Sequence, residues 1–269
     1  MQLEHSEIHL WSADESDFDL AQLESICLGW FGKEDLQRYY RLMFERHRKQ
    51  MLLGRYLLRA SLSHYAESVA LSDWRFTHNA YGKPALDTAV HTQQLFFNLS
   101  HSQGQIVLAL ARHDLVGVDI EAAARPRRVT RIAQRYFSPL ELADLLELPA
   151  HSQLPRFYQL WTLKESYIKA CGMGLAIPLN QFSFEFHDDN QISVQFDPQL
   201  QDEPAAWHFW QLATGTGTGT GTTFQLSLAL KLKEAALPIR VRMGCIRGGG
   251  FKQDSELADA IVTGSNFGA

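Results

Sequence analysis

Asp119 and Glu121 stand two residues apart in the apolar run Val116-Gly117-Val118-Asp119-Ile120-Glu121, and Glu165 and Lys169 stand four apart further along the chain. A strand alternates its side chains. Val116, Val118 and Ile120 would then share one face and the two carboxylates the other. Carboxylates placed that way repel unless a proton or a cation lies between them. A hard divalent cation with oxygen ligands, Mg2+ first among them, would relieve the repulsion. Taken by itself, this stretch reads more simply as a half-buried strand with an acidic solvent face. Glu165 and Lys169, taken alone, are an ordinary surface ion pair worth about a few tenths of a kcal/mol.

The chain of 269 residues is 45% hydrophobic and 20% charged, enough for one large domain or two smaller lobes. Its net charge of -5 and pI near 6.1 argue against a dedicated nucleic-acid binder. Cys27, Cys171 and Cys245 are few and widely spaced, which fits a reducing cytoplasm and no disulfide framework. The N-terminus lacks the pattern of a signal peptide, and no apolar run is long enough to span a bilayer. A soluble cytoplasmic protein with no membrane or nucleic-acid partner is the expectation.

The elements that would position these residues can be read from pattern. Ile8 to Trp11 reads as a strand, with Asp14 as a cap for the segment after it. Helices are predicted at Leu20 to Trp30, Lys33 to Met43 and about Phe44 to Tyr65. The last of these has a basic face of Arg46, Arg48, Lys49, Arg55 and Arg59, either solvated or turned toward phosphates or an acidic partner. Asn79 to Pro84 is a turn-rich loop presenting Lys83. Phe96 to His101 and Ile106 to Ala111 are strands joined at Gln103-Gly104-Gln105. Ser100 and His101 are neighbours on a strand and point to opposite faces, which rules out a serine-hydrolase pair.

Beyond Glu121 come Arg125, Arg127, Arg128, Arg131 and Arg135, with helices predicted at Val129 to Tyr136 and Pro139 to Glu147. Ser138 caps the second, with Glu141 placed for a capping box. A helix over Leu154 to Cys171 buries Leu160, Leu163, Tyr167, Ala170 and Cys171 and carries Trp161, Glu165 and Lys169 on a separate stripe, ending at Gly172. The rest reads as antiparallel sheet: a hairpin of Phe182 to Phe186 with Ile192 to Phe196 around Asp188-Asp189-Asn190, a pair Trp207 to Leu212 with Phe224 to Leu232, and a strand Ile239 to Cys245. The Gly-Thr repeat from Thr214 to Thr222 reads as a flexible loop without chemistry, and 247–269 as a mobile tail with a weak helical pattern at Glu256 to Ile261.

Several segments together resemble the 4'-phosphopantetheinyl transferase superfamily, in its larger, Sfp-type form. They are Leu52-Leu53-Gly54-Arg55, Gly82-Lys83-Pro84, Phe97-Asn98-Leu99-Ser100-His101-Ser102, Gly117-Val118-Asp119-Ile120-Glu121, Phe137-Ser138-Pro139-Leu140-Glu141 and Trp161 to Lys169 with Gly172 and Gly174. The resemblance implies an α+β fold of two similar lobes related by a pseudo-twofold axis, each a small mainly antiparallel sheet on helices. The lobes would be 1–113 on the nucleotide and 3'-phosphate side and 114–246 on the metal and pyrophosphate side, followed by the tail. It implies a monomer that moves the phosphopantetheine arm of coenzyme A onto a serine of an acidic apo carrier protein, releasing adenosine 3',5'-bisphosphate. Asp119, Glu121 and Glu165 would hold Mg2+, or Mn2+, and Lys169 would contact the same phosphates. Glu165, Asp119 and Lys169 would be the catalytic residues. Arg55, Lys83, Pro84, Asn98, Ser100 and His101 would bind the coenzyme. The alternative is a catalytically silent module that binds coenzyme A or a carrier protein.

Overall fold

Local pattern sets the elements, and a repeated order of them sets the fold. The computed structural model describes residues 2–123, 129–187, 191–214, 223–232, 238–248, 258–259 and 263–264. The first half runs β1 (Glu7–Asp14), α1 (Leu20–Cys27), α2 (Lys33–Arg41), α3 (Glu45–Tyr65), β2 (Phe76–His78), β3 (Pro84–Leu86), β4 (Phe96–Ser102) and β5 (Gln105–Ala111). The second half repeats that order: β6 (Val116–Ala122), α4 (Val129–Tyr136), α5 (Pro139–Glu147), α6 (Ala150–Cys171), β7 (Phe182–Phe186), β8 (Ile192–Phe196), β9 (Trp207–Thr214) and β10 (Phe224–Lys231). The repeat extends to pairing. β1 lies beside β5 and β5 beside β4, as β6 lies beside β10 and β10 beside β9, while β2–β3 and β7–β8 are separate hairpins.

Caps and turns behave as their residue types require. Asp14 and Asp19 accept backbone N–H groups from Ser16 and Gln22. Ser138 and Glu141 close the full capping box of α5. The β4–β5 turn holds Gln103 and Gly104 at φ of 45° and 86°, as a two-residue hairpin turn demands.

Apolar side chains fill three layers. Ile8, Leu10, Val107, Val118, Ile120 and Leu228 belong to one cluster, so the two sheets bury their inner faces against each other. The outer face of the first sheet packs on α3 through Trp11, Leu53, Leu57 and Leu108. The outer face of the second packs on α6 through Phe157, Leu163, Tyr167 and Phe209.

Three elements depart from the sequence pattern. α6 begins at Ala150, a turn ahead of the predicted Leu154, and carries Pro155 inside it. The sequence places such a proline at a helix start, yet one missing N–H is tolerated here. β11 (Arg240–Cys245) is not part of an antiparallel arrangement with the strands before it. It returns to the first sheet and runs parallel to β1, Glu7 opposite Arg240 and Ser12 opposite Cys245. In the tail, Ala258–Asp259 (β12) pairs with β11 and Thr263–Gly264 (β13) with β9; the first two are strand where the sequence shows a weak helical pattern, and the rest of that pattern lies outside the described residues. Arg125, Arg127 and Arg128, the turn Asp188-Asp189-Asn190 and residues 215–222 of the Gly-Thr repeat lie outside the described residues, while Thr214 ends β9.

Candidate active site

β6 brings its carboxylates to α6 because Gly117 lets the helix touch the strand's backbone. A Cβ on Gly117 would lie 2.0 Å from the Ser166 carbonyl oxygen and 2.6 Å from the Ala170 nitrogen. On the same face of β6, two residues on, Asp119 is 6% exposed. Its Oδ1 accepts from Lys169 Nζ at 2.6 Å and from Ser100 Oγ at 2.8 Å. The Lys169 ammonium also donates to Ser100 Oγ at 2.9 Å and the Val118 carbonyl at 3.3 Å. Glu121, half-buried, accepts from Ser102 Oγ at 3.2 Å.

Glu165 lies one turn before Lys169 on α6 and is half-buried. Burial first, then the charges of Asp119 and Glu121, push its carboxyl up to about 7, and Lys169 pulls the other way. All three acids and the lysine therefore share one electrostatic environment. Oxygen donors from a strand and a helix, with no thiol or imidazole among them, are the donor chemistry of a hard cation. The three carboxyls fit such an ion in kind. Among the described residues no three acidic, histidine or cysteine side chains already converge as a finished ligand set.

β4 joins this site to the first half without a backbone ladder. Asn98 Oδ1, Ser100 Oγ and Ser102 Oγ accept the N–H groups of Val118, Ile120 and Ala122 at 2.9, 3.3 and 3.2 Å. These N–H groups point away from β10 along the edge of β6, and alternate side chains of β4 satisfy them. The polar alternation of Asn98, Ser100 and Ser102 on a strand that also holds Phe96, Phe97, Leu99 and His101 was the available signal for this. His101, on the opposite face of β4, is exposed. Desolvation of its ring, followed by the Lys169 charge, lowers its pKa.

The loop 79–84 docks on the end of α6. Asn79 Nδ2 donates to the Gly172 carbonyl at 2.7 Å, and its Oδ1 accepts from the N–H groups of Tyr81 and Lys83. Lys83 Nζ donates to the Ala170 carbonyl at 2.7 Å and the Val116 carbonyl at 3.4 Å. Its ammonium thus serves the helix's open C-terminal carbonyls, and burial pushes its pKa down to about 8. Gly172 is at φ 70°, and a Cβ there would strike the Lys83 side chain at 2.6 Å. Pro84 is the first residue of β3.

Arg55 is not brought to the carboxylates. Its guanidinium donates to Asp35 at 2.9 Å and lines a separate hollow with Trp30, Arg59, Trp74, Arg75 and Phe76. Trp161, one turn before Glu165 on the same stripe of α6, packs against Phe157 and Tyr136.

A residue the pattern overlooked is Lys164, fully buried next to Glu165. Its ammonium donates to the carbonyls of Leu179 and Phe182 at 2.7 and 2.6 Å and pairs with Glu141 at 2.8 Å. Glu141 accepts in turn from the N–H groups of Ser138 and Phe184. Every proton of the ammonium is used, so this network fixes the rotation of α6 about its axis and with it the direction of Glu165.

Residues 115–229 match the 4'-phosphopantetheinyl transferase superfamily model, and residues 10–113 match the 4'-phosphopantetheinyl transferase N-terminal model. The chain belongs to the 4'-phosphopantetheinyl transferase superfamily and is an enzyme of that type. It is 36% identical over 188 residues to the 4'-phosphopantetheinyl transferase ffp of Bacillus subtilis, covering 68% of this chain and 75% of that one. It is 37% identical over 169 residues to the 4'-phosphopantetheinyl transferase Sfp of Bacillus subtilis strain 168, over 63% and 67% of the two chains. With the transferase HetI of Nostoc sp. the figures are 33% over 172 residues, 63% and 70%. The catalytically silent alternative finds no support among them. Among the described residues no helix is long and apolar enough to cross a membrane.

Proposed function

We propose that this chain transfers the phosphopantetheine arm of coenzyme A to a serine hydroxyl of an apo carrier protein, with Mg2+ as the cation and adenosine 3',5'-bisphosphate as the leaving group. The observation that carries it is the meeting of Asp119 from β6 with Lys169 from α6 at 2.6 Å, beside Glu165. Asp119, Glu121 and Glu165 would hold the ion. Bound there, it would neutralise charge on the pyrophosphate and on the departing bisphosphate.

The chain's own residues supply the rest. Lys169, a compact point charge, binds phosphate oxygen. Glu165, its carboxyl raised to about 7 in the ion-free protein, accepts the serine proton directly or through water. Ser100 holds Asp119 and Lys169 in register, and exposed His101 beside Lys169 donates to a phosphate. Asn98 keeps β4 on β6, and Pro84 and Lys83 shape the loop on the nucleotide side. Residues 1–113 and 114–246 serve as the two functional lobes, with β11 of the second returning to the first sheet and the coenzyme between them. The enzyme works as a cytoplasmic monomer on an acidic carrier protein, steered by the basic segment 125–135.

The test is mass spectrometry of a panel of apo carrier proteins incubated with the protein, coenzyme A and Mg2+. A phosphopantetheine adduct on serine, absent with Asp119→Ala, is expected. Release of free phosphopantetheine without any adduct would replace the transferase by a pyrophosphate hydrolase. Reversing the charges of Arg127 and Arg128 should flatten the salt dependence of turnover, and an unchanged slope removes that segment from docking.

A further inference from the structure

The carboxylate best placed to receive a cation already has one. Asp119 Oδ1 holds the Lys169 ammonium at 2.6 Å, and Ser100 Oγ and the Val118 carbonyl complete the ammonium's acceptors at 2.9 and 3.3 Å. Ser100 also donates to the same carboxylate oxygen, so the ammonium sits in a closed set of three acceptors rather than resting on a surface. We propose that Lys169 is a placeholder ion. It neutralises Asp119 while the site is free of metal and is drawn off by the coenzyme's phosphates, which opens Asp119 to the divalent cation.

The proposal rests on the metal-assisted transferase reading above and adds an order of events to it. An ion arriving at the coenzyme-free protein meets a carboxylate already neutralised at Oδ1 and an ammonium beside it that repels it, so its affinity there is weak. A phosphate group offers the ammonium a new anionic partner, so coenzyme and ion bind with positive linkage. Linkage is reciprocal: the ion raises coenzyme affinity by the same factor. The arrangement keeps a partly buried aspartate paired at every stage, and an unpaired buried carboxylate is the state that costs most.

The experiment measures Mn2+ affinity by electron paramagnetic resonance of the free ion, with and without coenzyme A and corrected for ion held by the coenzyme itself. Wild-type protein should bind Mn2+ roughly tenfold or more tightly with coenzyme A present. Lys169→Gln, which removes the ammonium, should bind Mn2+ more tightly than wild type in the absence of coenzyme and lose most of the linkage. Lys169→Arg, which keeps a cation on Asp119, should retain the weak affinity of the free protein. Equal or weaker binding by Lys169→Gln, with wild type still binding the ion, overturns the placeholder and leaves the transferase reading standing. So does wild-type affinity that coenzyme A does not change, an arm that holds even where a variant fails to fold. Failure of every form to bind Mn2+ under any condition overturns both.

Discussion

The long helices α3 and α6 hold equivalent places in the repeated order of elements, yet each buries its cation differently. Arg59 of α3, 6% exposed, donates to the Trp74 carbonyl at 2.8 Å and lies against the rings of Trp30 and Phe76 at 5.3 and 5.0 Å. Among the described residues no carboxylate pairs with it, and its Nε has no hydrogen-bond partner. Lys164 of α6 has rings nearby too, but it takes a buried carboxylate, Glu141, as its counter-ion. A planar, weakly hydrated guanidinium is stable against rings and carbonyls, whereas the fully buried ammonium of Lys164 keeps an acid beside it. The helices also differ in how closely they approach their strands. α6 touches β6 at Gly117, while α3 faces β1 across Trp11 and His9, both in contact with the Tyr65 hydroxyl at 2.9 and 2.6 Å. Only in the second half can a lysine on the helix reach a carboxylate on the strand. The repeat supplies the scaffold, and one glycine decides in which copy a helix lysine meets a strand carboxylate.

The largest contrast should come from the buried cations. Lys164→Met strands Glu141 without a counter-ion, at a cost of roughly 3–5 kcal/mol in denaturant unfolding, and adding Glu141→Gln should recover part of it. Arg59→Met leaves no orphaned acid and should cost clearly less. Equal losses would mean that the two cations are held alike. Next come the glycines. Gly117→Ala drives a methyl into the backbone of α6 and should destabilise by about 1–3 kcal/mol. It should also lower transfer to a carrier protein far more than it lowers stability, since Glu165 and Lys169 move with the helix. Gly54→Ala on α3 meets only Leu99 at 3.8 Å, an ordinary contact. It should leave activity intact and stabilise by about 0.5–1 kcal/mol through helix propensity and a stiffer unfolded chain.

Ser100→Ala exposes the seam between the halves. It leaves the Ile120 N–H without its acceptor and loosens Asp119, for about 1–3 kcal/mol by unfolding. Ser102→Ala, at a half-buried position, should cost less. The smallest effect concerns Lys83. Its folded pKa of about 8 lies below the 10.5 of the exposed side chain, so between those values the unfolded chain binds more protons. Stability should therefore rise as pH climbs through that window, and the difference between wild type and Lys83→Met should show that slope.

Much of this was legible in the residues because it is local. The alternation of Val116 to Glu121, the capping box of Ser138 and Glu141, the two C-terminal hairpins and the stop at Gly172 each come from spacing within a few residues. The meeting of Asp119, Glu165 and Lys169 came from the family resemblance, since nothing in either segment alone names its partner. What escaped is non-local. The parallel return of β11 to β1 has no signature in 240–245, and Pro155 disguised the first turn of α6. Lys164 sits among apolar residues where a lysine reads as solvent-facing until its acceptors, 15 and 18 residues on, are in view. For Arg55, which the family resemblance assigns to the coenzyme, the structure adds a partner no local pattern names, an aspartate 20 residues earlier.

The polar triplet on β4 has a final consequence. Backbone ladders repeat every two residues and would accept a slip of that size with little penalty, because every rung is the same. Here the rungs are an amide and two hydroxyls, and only the middle one meets an acid and an ammonium as well as a main-chain amide. A two-residue shift would offer Asp119 an asparagine carbonyl or a hydroxyl without its lysine. The alignment of the two halves is thus written in side-chain identity, and the site can assemble in one frame alone.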